Sequence, residues 1–215
     1  MLFRSQGMAI HQQQQGFPQR HHRAPVEKPA SSPVVRHSLP EEQWRPSPGT
    51  VGGARFSRCG RYRWWLERVW CPERPRVLFI GLNPSRAAAA LDDPTLRRLG
   101  RFARDWGFGG VEVVNLFSAV ATSPRSLRCL ADPVGGQTDG WIRRRAGSAP
   151  VGAIWLGWGN LGVLWQRDRQ VLSLLRVSAA GKPLLTLGPT RMGQPRHPLY
   201  ARAGLLWQPW SAASF

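Results

Sequence analysis

The sequence predicts an α/β domain of three layers, α/β/α, with helices on both faces of a central, mostly parallel, four-stranded sheet. Two observations carry this. Four short, largely apolar runs, Val77 to Leu82, Val111 to Val114, Val151 to Leu156 and Leu184 to Leu187, read as strands, and the first is apolar throughout, as a strand buried on both faces is. The segments between them carry helical spacing, and strands alternating with helices imply right-handed crossovers and a parallel sheet.

Residues 1–54 read as a disordered basic arm. A Gln12 to Gln15 tract, His21-His22 and scattered prolines up to Pro48 offer no periodic apolar face. The domain proper is expected over 55–212, a length that allows one ordinary core. Arg61 to Trp70 is aromatic-rich and reads as an early edge strand or short hairpin. Proline at 72 and 75 then breaks the chain before Val77 to Leu82, the first strand of the parallel set.

Asp93-Pro94-Thr95 supplies a helix N-cap followed by proline at the first helical position. Leu96, Leu99, Phe102, Ala103 and Trp106 then follow at helical spacing up to Gly107. After the strand Val111 to Val114 come Asn115, a loop, a short helix opened by Ser123-Pro124, and a helix around Trp141 to Arg145. Asn160 is placed to cap a further helix with Leu161, Leu164, Trp165, Leu172 and Leu175 facing inward, and Gly181 stops it before the last strand.

The formal net charge is +18, and the arm does not account for it, since residues 1–50 carry six Lys+Arg against three Glu. A basic folded part implies a polyanionic partner, nucleic acid first, with DNA ahead of RNA, and an anionic membrane second. Arginine far outnumbers lysine, which a GC-rich genome also produces without selection for binding. Cys59, Cys71 and Cys129 share no metal-type spacing, so neither a disulfide framework nor a metal site is expected. No apolar stretch reaches the length of a membrane span, so the reading is of a cytoplasmic monomer without membrane attachment or cofactor.

In an open parallel sheet, ligands bind in the crevice outside the carboxyl ends of the strands. Gly81-Leu82-Asn83-Pro84-Ser85 ends the first of these strands. Gly81 permits close approach and Asn83 projects from a proline-stiffened loop, although Asn-Pro is also a common turn pair. Asp93 has a role as the helix cap, which leaves Asp92 as the open carboxylate for orienting water in catalysis or binding a metal. Asn115 ends a strand that is otherwise hydrophobic but for Glu112. It either reads a planar base edge through donor and acceptor together or ties down the following loop.

Gly157-Trp158-Gly159-Asn160-Leu161-Gly162 matches G-x-G-x-x-G between strand and helix, the setting of a dinucleotide fingerprint. No acidic residue follows near Leu187, where a ribose-binding carboxylate belongs, so a tight turn with backbone N–H groups facing the crevice is the simpler reading. His197, the only histidine after residue 37, follows the last strand in Arg196-His197-Pro198. It can donate to a carbonyl or stabilise developing negative charge, with Arg191, Arg196 and Arg202 nearby.

Taken in order, these pieces resemble the uracil-DNA glycosylase superfamily. Gly81-Leu82-Asn83-Pro84 resembles its first motif in the form found in mismatch-specific thymine/uracil glycosylases. Val113-Val114-Asn115 resembles the strand whose asparagine reads the base, and His197-Pro198-Leu199 the histidine motif. More closely, the stretch from Arg61 to Trp207 resembles the bacterial family called domain of unknown function 1643. The segments that carry this are Leu82-Asn83-Pro84-Ser85, Asp92-Asp93-Pro94-Thr95, Asn115-Leu116-Phe117, Asp132-Pro133-Val134-Gly135 and Pro195 to Tyr200.

The superfamily resemblance implies a DNA-repair hydrolase that extrudes a nucleotide and cleaves its N-glycosidic bond. It implies that Asn83, His197 and Asp92 act on the bond, that Gly81, Asn115, Phe117 and Trp158 hold the base, and that Ser85, Arg86, Arg191, Arg196 and Arg202 hold the nucleic-acid backbone. Asn83 stands where the most active glycosylases carry aspartate, and it can orient a water but cannot take its proton near neutral pH. The histidine motif also lacks the usual serine-proline continuation, which shortens the loop, so that Leu199 or Tyr200 would have to wedge into a duplex. The rival expectations are a non-catalytic nucleic-acid-binding module on the same fold, and a nucleotide enzyme built on the Gly157 turn.

Overall fold

A computed structural model describes residues 49–84, 92–121, 123–179 and 181–211. The expected N-terminal arm up to residue 48, together with Ser85 and Arg86, lies outside the described residues. The elements in chain order are β1 (Val51–Phe56), β2 (Arg63–Val69), β3 (Arg76–Gly81), α1 (Pro94–Asp105), β4 (Gly110–Asn115), α2 (Thr138–Ala146), β5 (Val151–Leu156), α3 (Arg167–Ser178), β6 (Leu184–Thr186) and β7 (Gln208–Pro209).

Among the described residues the sheet has seven strands, not four, in the order β1-β2-β4-β3-β5-β6-β7. Its middle, β4-β3-β5-β6, consists of the four apolar runs and is parallel throughout. Three antiparallel strands extend it, β2 and β1 on one side and β7 on the other. Gly52 and Gly53 weaken any strand signal in β1, and β7 is only two residues long. The boundary expected at residue 54 falls inside β1. The Arg61 to Trp70 segment contributes β2, which is an interior strand rather than an edge.

Alternation across the central strands builds two cores. Val77 and Phe79 of β3, Val111 and Val113 of β4 and Trp155 of β5 pack on the side of α1, with Leu96, Leu99, Phe102 and Ala103. Leu78, Ile80, Val114, Ile154 and Leu156 pack on the other side, with Ile142 and Ala146 of α2 and Val171 and Leu175 of α3. Two faces covered by helices favour apolar strands, and the sequence has them so but for the buried Glu112 and Thr186.

Helix α1 begins as expected, with Asp93 Oδ1 accepting the Leu96 N–H at 2.7 Å and Pro94 at the first turn. The helix expected from Asn160 starts later. Asn160–Gln166 forms a 3₁₀ segment that kinks where Trp165 and Gln166 take left-handed φ values of 51° and 56°, and α3 proper begins at Arg167. Trp165 is therefore half exposed and not part of an inward helical face. No helix among the described residues is long and apolar enough to cross a membrane.

Candidate functional site

The chain leaves β3 for β4 on one side and then returns past it to β5 on the other. The carboxyl ends of β3, β4 and β5 therefore splay around the point where strand order reverses, the place where open α/β sheets leave a crevice. A cavity of about 740 Å³ lies there. Gly81, Asn83, Asn115, Trp158 and His197 all line it, and Arg191 and Arg196 join them.

Asn115 is the last residue of β4 and lies beside Gly81 of β3 in the parallel register. A Cβ at Gly81 would sit 3.0 Å from Asn115 Oδ1 and 2.9 Å from the Phe79 ring, so glycine there leaves room for the amide. The Asn115 side chain is buried, 3% exposed, and its Nδ2 has no hydrogen-bond partner among the described residues. Buried polar groups in folded proteins are almost always paired, so an unpaired donor on a cavity wall points to a ligand.

Asn83 is turned the other way. Its Nδ2 donates to Pro84 O at 3.1 Å and Ala121 O at 3.2 Å. Two carbonyl acceptors fix which end is the amide nitrogen and leave Oδ1 as the acceptor that remains.

His197 begins the 3₁₀ turn Pro198–Tyr200, and its Nδ1 accepts the Leu199 N–H at 3.3 Å. Arg98 of α1 holds that turn from below by donating to Pro198 O and Ala201 O. Burial pushes the His197 imidazole down to about 4, against the opposing pull of the Asp93 carboxylate. The ring is thus neutral at pH 7, and with Nδ1 accepting, its proton sits on Nε2, a donor without charge.

The Trp158 ring is fixed by a chain of hydrogen bonds that the sequence does not announce. Its indole N–H donates to Gln194 Oε1 at 2.7 Å, and Gln194 Nε2 donates to Asp168 Oδ2 at 2.9 Å. The glycines of the Gly157 turn serve packing. A Cβ at Gly157 would lie 2.4 Å from the Phe79 ring, and one at Gly162 would lie 2.1 Å from Trp158 Cδ1. Their N–H groups do not face the crevice as expected: Gly157 donates to Ile80 O, Gly159 to Pro195 O and Gly162 to Gly159 O. With those donors consumed, the turn is a poor phosphate cradle, and the dinucleotide reading loses its basis.

Three of the expected residues lie elsewhere. Asp92 is ion-paired with Arg68 at 3.0 Å and does not line the cavity. Phe117, two residues past the end of β4, turns into the core and meets Trp165 edge-on, so it offers no face to a ligand. Arg202 is exposed and off the cavity wall. Two residues not read as site residues are on it. Asp93 lines the cavity while capping α1, and Arg63, the first residue of β2, lines it with a side chain only 4% of which is exposed. A lone arginine opening a strand carries no sequence signal of burial.

The family described as "Protein of unknown function (DUF1643)" matches residues 63–199, and the chain belongs to that family. The match runs from β2 through His197 and so spans the whole cavity wall named above. No curated protein and no solved structure matches the chain.

Proposed function

We propose that the cavity holds a nucleobase and that the protein hydrolyses, by water attack, the N-glycosidic bond joining that base to its sugar. The observation that carries this is the buried, unpartnered Nδ2 of Asn115 on the wall of a cavity that also presents a neutral histidine. In this reading the fold is of the uracil-DNA glycosylase type. The parallel centre with helices on both faces, and Asn83, Asn115 and His197 around one crevice, support it.

Asn115 offers donor and acceptor together to the edge of a flat heterocycle. As the bond between base nitrogen and C1′ breaks, its electron pair goes to the base. The Nε2–H of His197 stabilises that growing negative charge without first having to be charged itself. Asn83 Oδ1 accepts a hydrogen bond from the water that adds to C1′. It orients that water but takes no proton, which goes to bulk solvent, so the rate is modest. Arg191 and Arg196 lie where they can meet phosphates of a nucleic-acid strand, DNA ahead of RNA.

Oligonucleotides bearing uracil, mismatched thymine or hypoxanthine, incubated with the full chain, test this by the appearance of abasic sites. Release of free base from the corresponding nucleosides and 5′-monophosphates is followed alongside; wild type is expected to cleave at least one of these substrates, and Asn83→Ala and His197→Ala to reduce cleavage by at least tenfold. No base released from any oligonucleotide, nucleoside or nucleotide, with both variants binding like wild type, overturns the reading. The acceptor-only Asn83 favours a second reading, a non-catalytic module that binds an exposed base. A steep salt slope in binding without preference among bases would support it.

A further inference from the structure

Arg63 is not used by the chemistry above. Its guanidinium is buried, its Nε has no hydrogen-bond partner, and no carboxylate pairs with it within 4.0 Å among the described residues. Other buried or half-buried arginines have an acceptor for at least one guanidinium nitrogen: in the sheet Arg68 has Asp92 and Arg76 Nη1 has Glu67 and Glu112, and in α3 Arg167 has Leu116 O and Asp139. Burial lowers the Arg63 guanidinium to about 10, which leaves it cationic at pH 7; the Asp93 charge opposes that shift and Arg68 adds to it. A cation removed from water with no partner is unfavourable unless something anionic arrives to meet it.

The position of Arg63 says where that anion would be. Antiparallel pairing brings the start of β2 to the carboxyl edge of β4, and the Arg63 main-chain N–H donates to Ser118 O at 2.9 Å, three residues beyond Asn115. Arg63 and Asn115 thus line one cavity from neighbouring strands, and each carries a buried donor without a partner among the described residues. At about 740 Å³ the cavity falls within the range of roughly 300–1,000 Å³ typical of small-molecule sites.

We infer that the occupant is a free nucleotide, its phosphate monoester held by Arg63 inside the cavity and its base by Asn115. The inference rests on the base-binding reading and narrows its substrate class. A guanidinium matches phosphate oxygens with a fork of N–H donors, whereas a buried arginine cannot reach the phosphates of an intact duplex that stay outside.

Isothermal titration of the full chain with nucleosides of the common bases, their 5′-monophosphates, and ribose 5-phosphate tests it. For at least one base, the monophosphate is expected to bind at least tenfold more tightly than the nucleoside, and the ratio to fall to within twofold in Arg63→Met. Arg63→Met is further expected to melt at or above the wild-type temperature without ligand, because it removes an unpaired buried charge; a merely structural arginine would lower it. Equal affinity for nucleoside and monophosphate in wild type overturns the inference while leaving base binding intact, and this comparison needs no variant. A ratio that survives in Arg63→Met, or binding of oligonucleotides with none of any monophosphate, also overturns it. Binding of ribose 5-phosphate that requires Arg63 but shows no gain from any base keeps the anion site and overturns the base reading instead.

Discussion

Strand β4 carries two buried polar residues three positions apart, and they have opposite fates. Glu112, fully buried, accepts hydrogen bonds from Arg145 Nε at 2.6 Å and Nη2 at 2.7 Å, from Trp65 Nε1 at 2.9 Å and from Arg76 Nη1 at 3.3 Å. Asn115, also buried, leaves its Nδ2 without a partner among the described residues. The first is a closed network in which both carboxylate oxygens are satisfied by the fold itself. The second, like Arg63 beside it, is satisfied only from outside. Burial of a polar group therefore does not mark function; burial without a partner, on a cavity wall, does.

The comparison breaks most visibly at Glu112. Glu112→Gln replaces an acceptor by an amide whose NH₂ faces cationic donors, and it leaves Arg145 partly buried without a counter-charge and Arg76 with Glu67 alone. Removing one partner of a buried ion pair costs about 3–5 kcal/mol, and a loss of about 4 kcal/mol in unfolding free energy is expected by denaturant titration. Ligand binding by the protein that remains folded should be unchanged. A loss under about 1 kcal/mol would mean that the network is dispensable and the contrast empty.

His197 gives an intermediate effect that depends on pH. Its ordinary value of 6.5 is lowered to about 4 in the fold, so above pH 6.5 folded and unfolded chains are both neutral at this ring. Below pH 6.5 the unfolded histidine takes a proton that the folded one refuses until about pH 4. Stability is thus lost as pH falls through that window and is present in full above it. Allowing for the partial exposure of the ring, the loss is on the order of 2 kcal/mol. Subtracting the pH–stability curve of His197→Gln from that of wild type isolates it. A difference curve flat between pH 7 and 4 would mean that the ring is solvated and its tautomer is not held.

How far such a site can be read in advance depends on which physical signal each residue leaves. The four central strands are legible because burial on both faces demands mostly apolar residues, with Glu112 and Thr186 as the polar exceptions, and the shared carboxyl edge follows from parallel pairing. That edge is what brings Asn83, Asn115 and His197, far apart in the chain, to one cavity. Asp93-Pro94 marks Asp93 as the cap of α1, but no pattern says where Asp92 goes; the fold sends Asp92 to Arg68 and leaves Asp93 on the cavity wall while it caps the helix. Phe117 misleads because its side is decided by the loop after β4, where the alternation of a strand no longer applies. Arg63 and Gln194 were illegible for a different reason. Arginine and glutamine are mostly exposed, so their burial here is a tertiary fact with no trace in local sequence.

The smallest expected change in stability is the one that sharpens the contrast most. Asn115→Ala removes a buried amide that lacks a donor partner, on the wall of a space already open, so it creates little new void and relieves an unmet polar group. The two terms oppose each other, and a net change within about 1 kcal/mol is expected from thermal or denaturant melts. Binding of free bases or nucleosides should fall by at least tenfold, since a site built to hydrogen-bond a polar edge loses about 1–3 kcal/mol when one of its buried partners goes. A drop in stability as large as that of Glu112→Gln would make Asn115 a structural tie for the loop that follows it, the other role its sequence position allows. Glu112 and Asn115 would then differ only in how many partners they have, and the cavity would lose its strongest claim to a ligand.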